Sequence, residues 1–129
     1  LSKLIDPARR ERQVRLLEQG FDSPEFLVSM TVLDKTLADM EKVLAIQPWL
    51  VGNTPTLADL AVLPYVISAE KFGLEMMYTE ERTGVADWLA RWRTRPTYEA
   101  TMPWKLTEED MAEVSRHSKE PWARIKSGR

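Results

Sequence analysis

The stretch Pro48–Tyr65, PWLVGNTPTLADLAVLPY, decides the fold. A glycine turn at Gly52 leads into a helix start that is marked twice. Thr56 is followed three residues later by Asp59, the spacing of a capping box. The Thr hydroxyl accepts from the amide of the third helical residue, and the Asp carboxylate accepts in return from the Thr amide. The Asp charge also sits favourably in the field of a helix N-terminus. From Leu60 to Ala69 no residue is charged, so the apolar stripe runs most of the way round, as in a helix at the middle of a bundle. The pattern predicts a buried central helix near 57–72, closed by Gly73. Pro64 lies inside it, where proline removes an amide donor and crowds the preceding turn. With capping this strong and the pattern continuing, a bend near Leu60 to Pro64 is expected rather than a break.

Working upstream, Ser23-Pro24-Glu25 opens a helix of about 22 residues. Phe26, Met30, Leu33, Leu37, Met40 and Leu44 recur at intervals of four and three, a seam packed against neighbouring helices. The run is too short for a sustained coiled coil. Before it, Asp6-Pro7 reads as an N-cap with proline in the first turn, and Gly20 as the C-cap. Val14, Leu17 and Phe21 recur at helical spacing between them, and Glu11 and Arg15, four apart, are expected to pair on the surface.

Downstream, a polar connection from Tyr78 to Gly84 precedes a shorter amphipathic helix marked by Val85, Trp88, Leu89 and Trp92. Arg95-Pro96 ends it, and Thr97 to Met102 forms one more turn. Thr107 and Asp110 repeat the capping-box spacing and open a polar helix to about Ser118. Glu120 to Arg129 shows no clear apolar period, so the tail after about residue 119 is expected to be loosely ordered, with Trp122 docking. Proline and glycine thus punctuate a single all-α domain over 1–129, a helical bundle without strands.

Composition agrees with an ordinary globular domain. Hydrophobic residues make up 43% of the 129 positions and charged residues 29%, with a net charge of −2. That balance does not favour nucleic acid, and Arg9-Arg10-Glu11-Arg12 and Arg91 to Arg95 read as solvated helix faces. Without cysteine, disulfides, thiolate catalysis and Cys-ligated metals are excluded. No apolar run reaches the length of a membrane span, and the N-terminus lacks the apolar core of a signal peptide. A cytoplasmic location is the expectation, with neither a nucleic-acid nor a membrane partner.

Chemistry within the chain is sparse. His117 is the one histidine and falls in a polar helix, where a solvated role is expected; no metal site is anticipated. The acidic cluster Glu108-Glu109-Asp110 is explained by a helix first turn. No phosphate loop and no nucleophile–base set is present, so no catalytic residue is assigned. Thr56 and Asp59 are read as structural, worth about 0.5–2 kcal/mol as a cap. Trp49, Trp88 and Trp92 fall on apolar periods and belong to the core. Met102-Pro103-Trp104 differs, lying beyond the last core helix. Its soft and aromatic side chains suit an adaptable apolar pocket, or alternatively staple the tail to the bundle.

These residues resemble the C-terminal domain of the cytosolic glutathione transferases. Trp49-Leu50-Val51-Gly52 followed by Thr56-Leu57-Ala58-Asp59 is similar to the start of that family's buried sixth helix. Leu33-Asp34-Lys35-Thr36-Leu37 is similar to its fifth helix, and Val85 to Trp88 followed by Arg95-Pro96-Thr97-Tyr98 to its later Trp-containing helix and Arg-Pro. The resemblance covers about residues 24–100. It implies a partner thioredoxin-like N-terminal domain that is not in this chain and that carries the catalytic group, glutathione as co-substrate, and a homodimer. It also implies that Met102 and Trp104 border the pocket for an apolar small-molecule electrophile. The chain then supplies a pocket wall and part of the dimer surface. A non-catalytic transferase-like interaction module is the alternative.

Overall fold

Asp6 and Ser23 are the first two helix starts, and both form as their sequence signals predict. In the computed structural model, which describes residues 6–101 and 107–127, α1 spans Pro7–Gln19 and α2 spans Pro24–Leu44. Asp6 Oδ1 accepts from the Ala8 amide at 3.1 Å, and the buried Ser23 hydroxyl accepts from the Phe26 amide at 3.1 Å. Between them the chain leaves α1 through Gly20 at φ +53°, a left-handed conformation that favours glycine, and makes a short 3₁₀ turn over Gly20–Asp22.

The α2 seam packs as its spacing requires. Leu37, Met40 and Leu44 are buried, with Phe26, Met30 and Leu33 packed against them. The next helix, α3 (Leu57–Lys71), runs through Pro64 unbroken, with Phe72 as its C-cap. Then come α4 (Met76–Thr79), α5 (Thr83–Arg93), α6 (Pro96–Thr101) and α7 (Glu108–Ser127). Among the described residues there is no strand. The core joins the α2 seam to Leu63, Val66 and Ile67 of α3 and to Val85, Trp88, Leu89 and Trp92 of α5. Trp49 packs edge-on to Trp92 with ring centres 5.3 Å apart, so the three tryptophans expected in the core lie there.

Gly84 sets the closeness of α2 and α5. A Cβ at that position would lie 3.0 Å from Glu41 Oε2 and 3.2 Å from Leu44 Cβ. Its absence lets Glu41 reach the open amides of α5. Oε1 accepts from Gly84 at 3.0 Å and Oε2 from Val85 at 2.9 Å. A carboxylate from one helix therefore caps the N-terminus of another.

Four expectations need correction. The central helix is buried on one face only: Asp59, Leu63, Val66, Ile67 and Ala69 are covered, whereas Leu57 is 82% and Tyr65 67% exposed. An uncharged run states that both faces are apolar, not that both are covered. The apolar residues of α1 are not packed either; none of its residues is buried and Leu17 is 85% exposed. Arg15 bonds Glu25 of α2, not Glu11, because the 3₁₀ turn brings the start of α2 beside the end of α1.

The tail is the fourth case. α7 continues to Ser127 through Pro121, and Pro121 and Trp122 are buried. Met111, Val114, Trp122 and Ile125 share a helical seam that runs across the proline. Arg124 pairs with Asp22 at 2.9 Å, and Lys126 with Glu80 at 3.1 Å and Glu81 at 2.8 Å. These contacts tie the last turns of α7 to the 3₁₀ turn before α2 and to the α4–α5 connection. The connection is itself more structured than its polarity implies, since Met77, Tyr78 and Arg82 are buried.

Candidate functional site

Asp59 does more than start a helix. The reciprocal box with Thr56 is formed, with the Thr56 amide 2.8 Å and its hydroxyl 3.0 Å from Oδ2. The Thr56 hydroxyl accepts in turn from the Ala58 amide at 3.2 Å. Oδ1 accepts from the Leu50 amide and from the Trp88 indole, both at 2.9 Å. One fully buried carboxylate thus joins the 45–56 loop, the start of α3 and the middle of α5. Burial pushes its pKa up, but the bonds from Leu50, Trp88 and Thr56 outweigh that and hold it below the ordinary carboxyl value. Every strong acceptor direction is occupied by protein, which makes Asp59 a poor proton carrier and a good anchor.

A second buried polar contact lies at the start of α5. Asp34, on the α2 seam, receives Arg82 Nη2 at 2.6 Å, and Arg82 Nη1 donates to the Met77 carbonyl. Both residues are buried. In the sequence, Asp34 figures only within Leu33 to Leu37; its partner lies 48 positions away and has no local signal.

Among the described residues, two apolar concavities bear on function. One groove follows α2 and α3 past Val28, Val32, Leu33, Val62 and Tyr65 and holds about 520 Å³. The other is a cleft of about 450 Å³ where the end of α1, the start of α2 and the end of α3 converge. Leu16, Phe21, Phe26, Met30 and Phe72 line it, with Glu25 as its charged member. Phe21 and Phe26 meet with ring centres 4.8 Å apart at 54°. Arg15 donates Nε at 2.9 Å and Nη2 at 2.5 Å, both to Glu25 Oε1. These bonds, helped by Glu25's own amide, lower the Glu25 pKa and keep it ionised. The arrangement suits an apolar molecule held by aromatic and thioether surface.

The remaining sequence candidates separate cleanly. Met102 and Trp104 lie outside the described residues. His117 is exposed, 3.9 Å from Glu113. Thr107 and Asp110 form the second capping box, with the Asp110 amide 3.1 Å from the Thr107 hydroxyl. Among the described residues, no three His, Asp or Glu side chains converge as metal ligands would, and no helix is long and apolar enough to cross a membrane. Sequence reasoning missed the cleft: Glu25 looked like a helix-start acid and Phe72 like the end of the central helix.

The Thr56–Asp59 box, Asp34 and Trp88 all fall within the span that one family model matches. The model of the glutathione S-transferase C-terminal domain matches residues 7–91, more than half of the 129-residue chain. The chain belongs to that family. Comparison with curated proteins and with solved structures returned no match. Within this glutathione S-transferase C-terminal domain, the matched span takes in α1 to α4 and most of α5. The Asp59 anchor, the Asp34–Arg82 pair and the cleft all lie inside it. α6 and α7 lie beyond it.

Proposed function

We propose that this domain serves a glutathione S-transferase-like protein as the wall of its apolar electrophile pocket and as part of its dimer surface. The observation that carries the reading is the aromatic and thioether cleft of α1, α2 and α3, set on a matched family domain. A partner thioredoxin-like N-terminal domain binds glutathione, the co-substrate, and holds its thiol as thiolate. The thiolate sulfur attacks the electrophilic carbon and displaces its leaving group, or adds across an activated double bond. The cleft contributes desolvation and positioning. Met102 and Trp104 are proposed as further members of the same wall.

The uncovered apolar residues of α1 and of the outer face of α3 support a domain that works with other protein surface against it. Single exposed apolar residues are ordinary, but Leu57, Leu60 and Tyr65 lie on one helix with Val28 and Val32 beside them. The test is to pass the full-length protein over immobilised glutathione and assay conjugation of an aryl halide. Retention with turnover is expected. Neither retention nor turnover supports a non-catalytic interaction module instead.

A further inference from the structure

One polar atom in the cleft wall has no hydrogen bond. Arg15 gives Nε and Nη2 to the same oxygen, Glu25 Oε1, whereas a guanidinium and a carboxylate frequently align in two parallel bonds, one to each oxygen. Oε2 is withdrawn from solvent and, among the described residues, meets no donor in hydrogen-bond geometry. An unmet acceptor in an apolar surround costs stability that a bonded one does not. The rest of the wall is apolar (Leu16, Phe21, Phe26, Met30 and Phe72) apart from Ser29, whose hydroxyl donates to the Glu25 carbonyl at 2.8 Å. The terminal torsion of a glutamate is broad, so a small rotation turns Oε2 toward a molecule in the cleft while Arg15 keeps its hold on the carboxylate.

We infer that the cleft selects apolar aromatic molecules bearing one hydrogen-bond donor, such as a phenol or an aryl amine, through Glu25 Oε2. The aromatic body lies on Phe21, Phe26, Met30 and Phe72, and the donor completes the carboxylate that Arg15 half occupies. Arg15 has a positioning role: it keeps Glu25 ionised and presents its second oxygen. This inference rests on the reading of the cleft as the electrophile pocket and adds to it a class of ligand.

The test uses the full-length protein and a matched pair of probes, 1-naphthol and 1-methoxynaphthalene, which differ in the donor. Their dissociation constants are measured by calorimetry in the wild type, Glu25→Gln and Phe72→Ala. In the wild type 1-naphthol is expected to bind about tenfold more tightly than its ether, the scale of one hydrogen bond to a charged acceptor. Glu25→Gln keeps an oxygen for Arg15 and places an NH₂ where Oε2 was, so the preference should vanish or invert. Phe72→Ala should weaken both probes by a similar factor and leave their ratio unchanged. Affinities of the two probes within twofold in the wild type, an undiminished preference in Glu25→Gln, or no binding of either probe overturns the inference. Conjugation of an aryl halide, measured on the same samples, separates the two claims. Turnover without donor preference overturns the ligand class alone. Preference without turnover supports the ligand class and overturns the transferase reading.

Discussion

The Trp88 indole donates to Asp59 Oδ1 at 2.9 Å, so the carboxylate that starts α3 is also the group that seats α5. The two residues are fully buried. This makes the start of α3 a tertiary contact as much as a local one.

Replacing Asp59 with alanine should therefore cost more than a lost cap. It leaves the Trp88 indole and the Leu50 and Thr56 amides without their acceptor, a loss of about 3–5 kcal/mol. Asp59→Asn keeps an oxygen for two of these donors and should cost about half as much. Urea midpoints for the two variants check the order. The low pKa of Asp59 in the folded state adds a pH signature. A carboxyl whose folded pKa is depressed contributes its stability in full above the unfolded value near 4, and loses it as the pH falls through the folded value. Acid unfolding should accordingly be shallower in Asp59→Asn than in the wild type.

The Asp34–Arg82 pair should behave as a unit. Alanine at either position strands a buried charge and is expected to cost about 3–5 kcal/mol, while Asp34→Leu combined with Arg82→Met should recover much of that loss. A double-mutant cycle by chemical denaturation reads the coupling. Additive losses would mean that the two side chains act separately.

Gly84→Ala offers a test of helix approach. Helix propensity alone favours alanine by about 1 kcal/mol. The new Cβ would meet Leu44 Cβ at 3.2 Å and the Glu41 carboxylate that caps α5, an overpacking cost of about 1–3 kcal/mol. A net loss near 1 kcal/mol is expected, seen as a lower urea midpoint. A midpoint at or above that of wild type would show that α2 and α5 separate freely.

Trp122 tests whether the last helix belongs to the domain. It is buried in the shared core, and Trp122→Ala should cost about 3–5 kcal/mol. A frayed tail would instead leave the thermal midpoint almost unchanged.

What the sequence made legible was local. Asp6-Pro7, Ser23-Pro24 and Thr56 with Asp59 mark three helix starts because a capping side chain and the amides it serves lie within one turn of each other. The α2 seam was readable because its period is the helix's own. What was not readable depends on approach between distant segments: Arg82 finding Asp34, Glu41 reaching Gly84, Arg15 choosing Glu25 over Glu11. The expected helix stops near Ser118 because Glu120 to Arg129 shows no clear apolar period by itself, although Trp122 and Ile125 continue the seam of Met111 and Val114. The cleft draws Leu16, Phe26 and Phe72 from three helices, and no motif links them. Met102 and Trp104 rest on their soft and aromatic character beyond the last core helix and on the resemblance, and their part in the site is a proposal.

The measurement that bears most directly on the account is a pair of Michaelis constants in the full-length protein, one for an apolar aryl electrophile and one for glutathione, in wild type and Phe72→Ala. Phe72 is half exposed, so the variant should fold. If this domain supplies the electrophile wall, kcat/KM for the electrophile falls about tenfold while the glutathione KM stays within twofold. An unchanged electrophile constant, or a shift confined to glutathione, would contradict the assignment of the cleft.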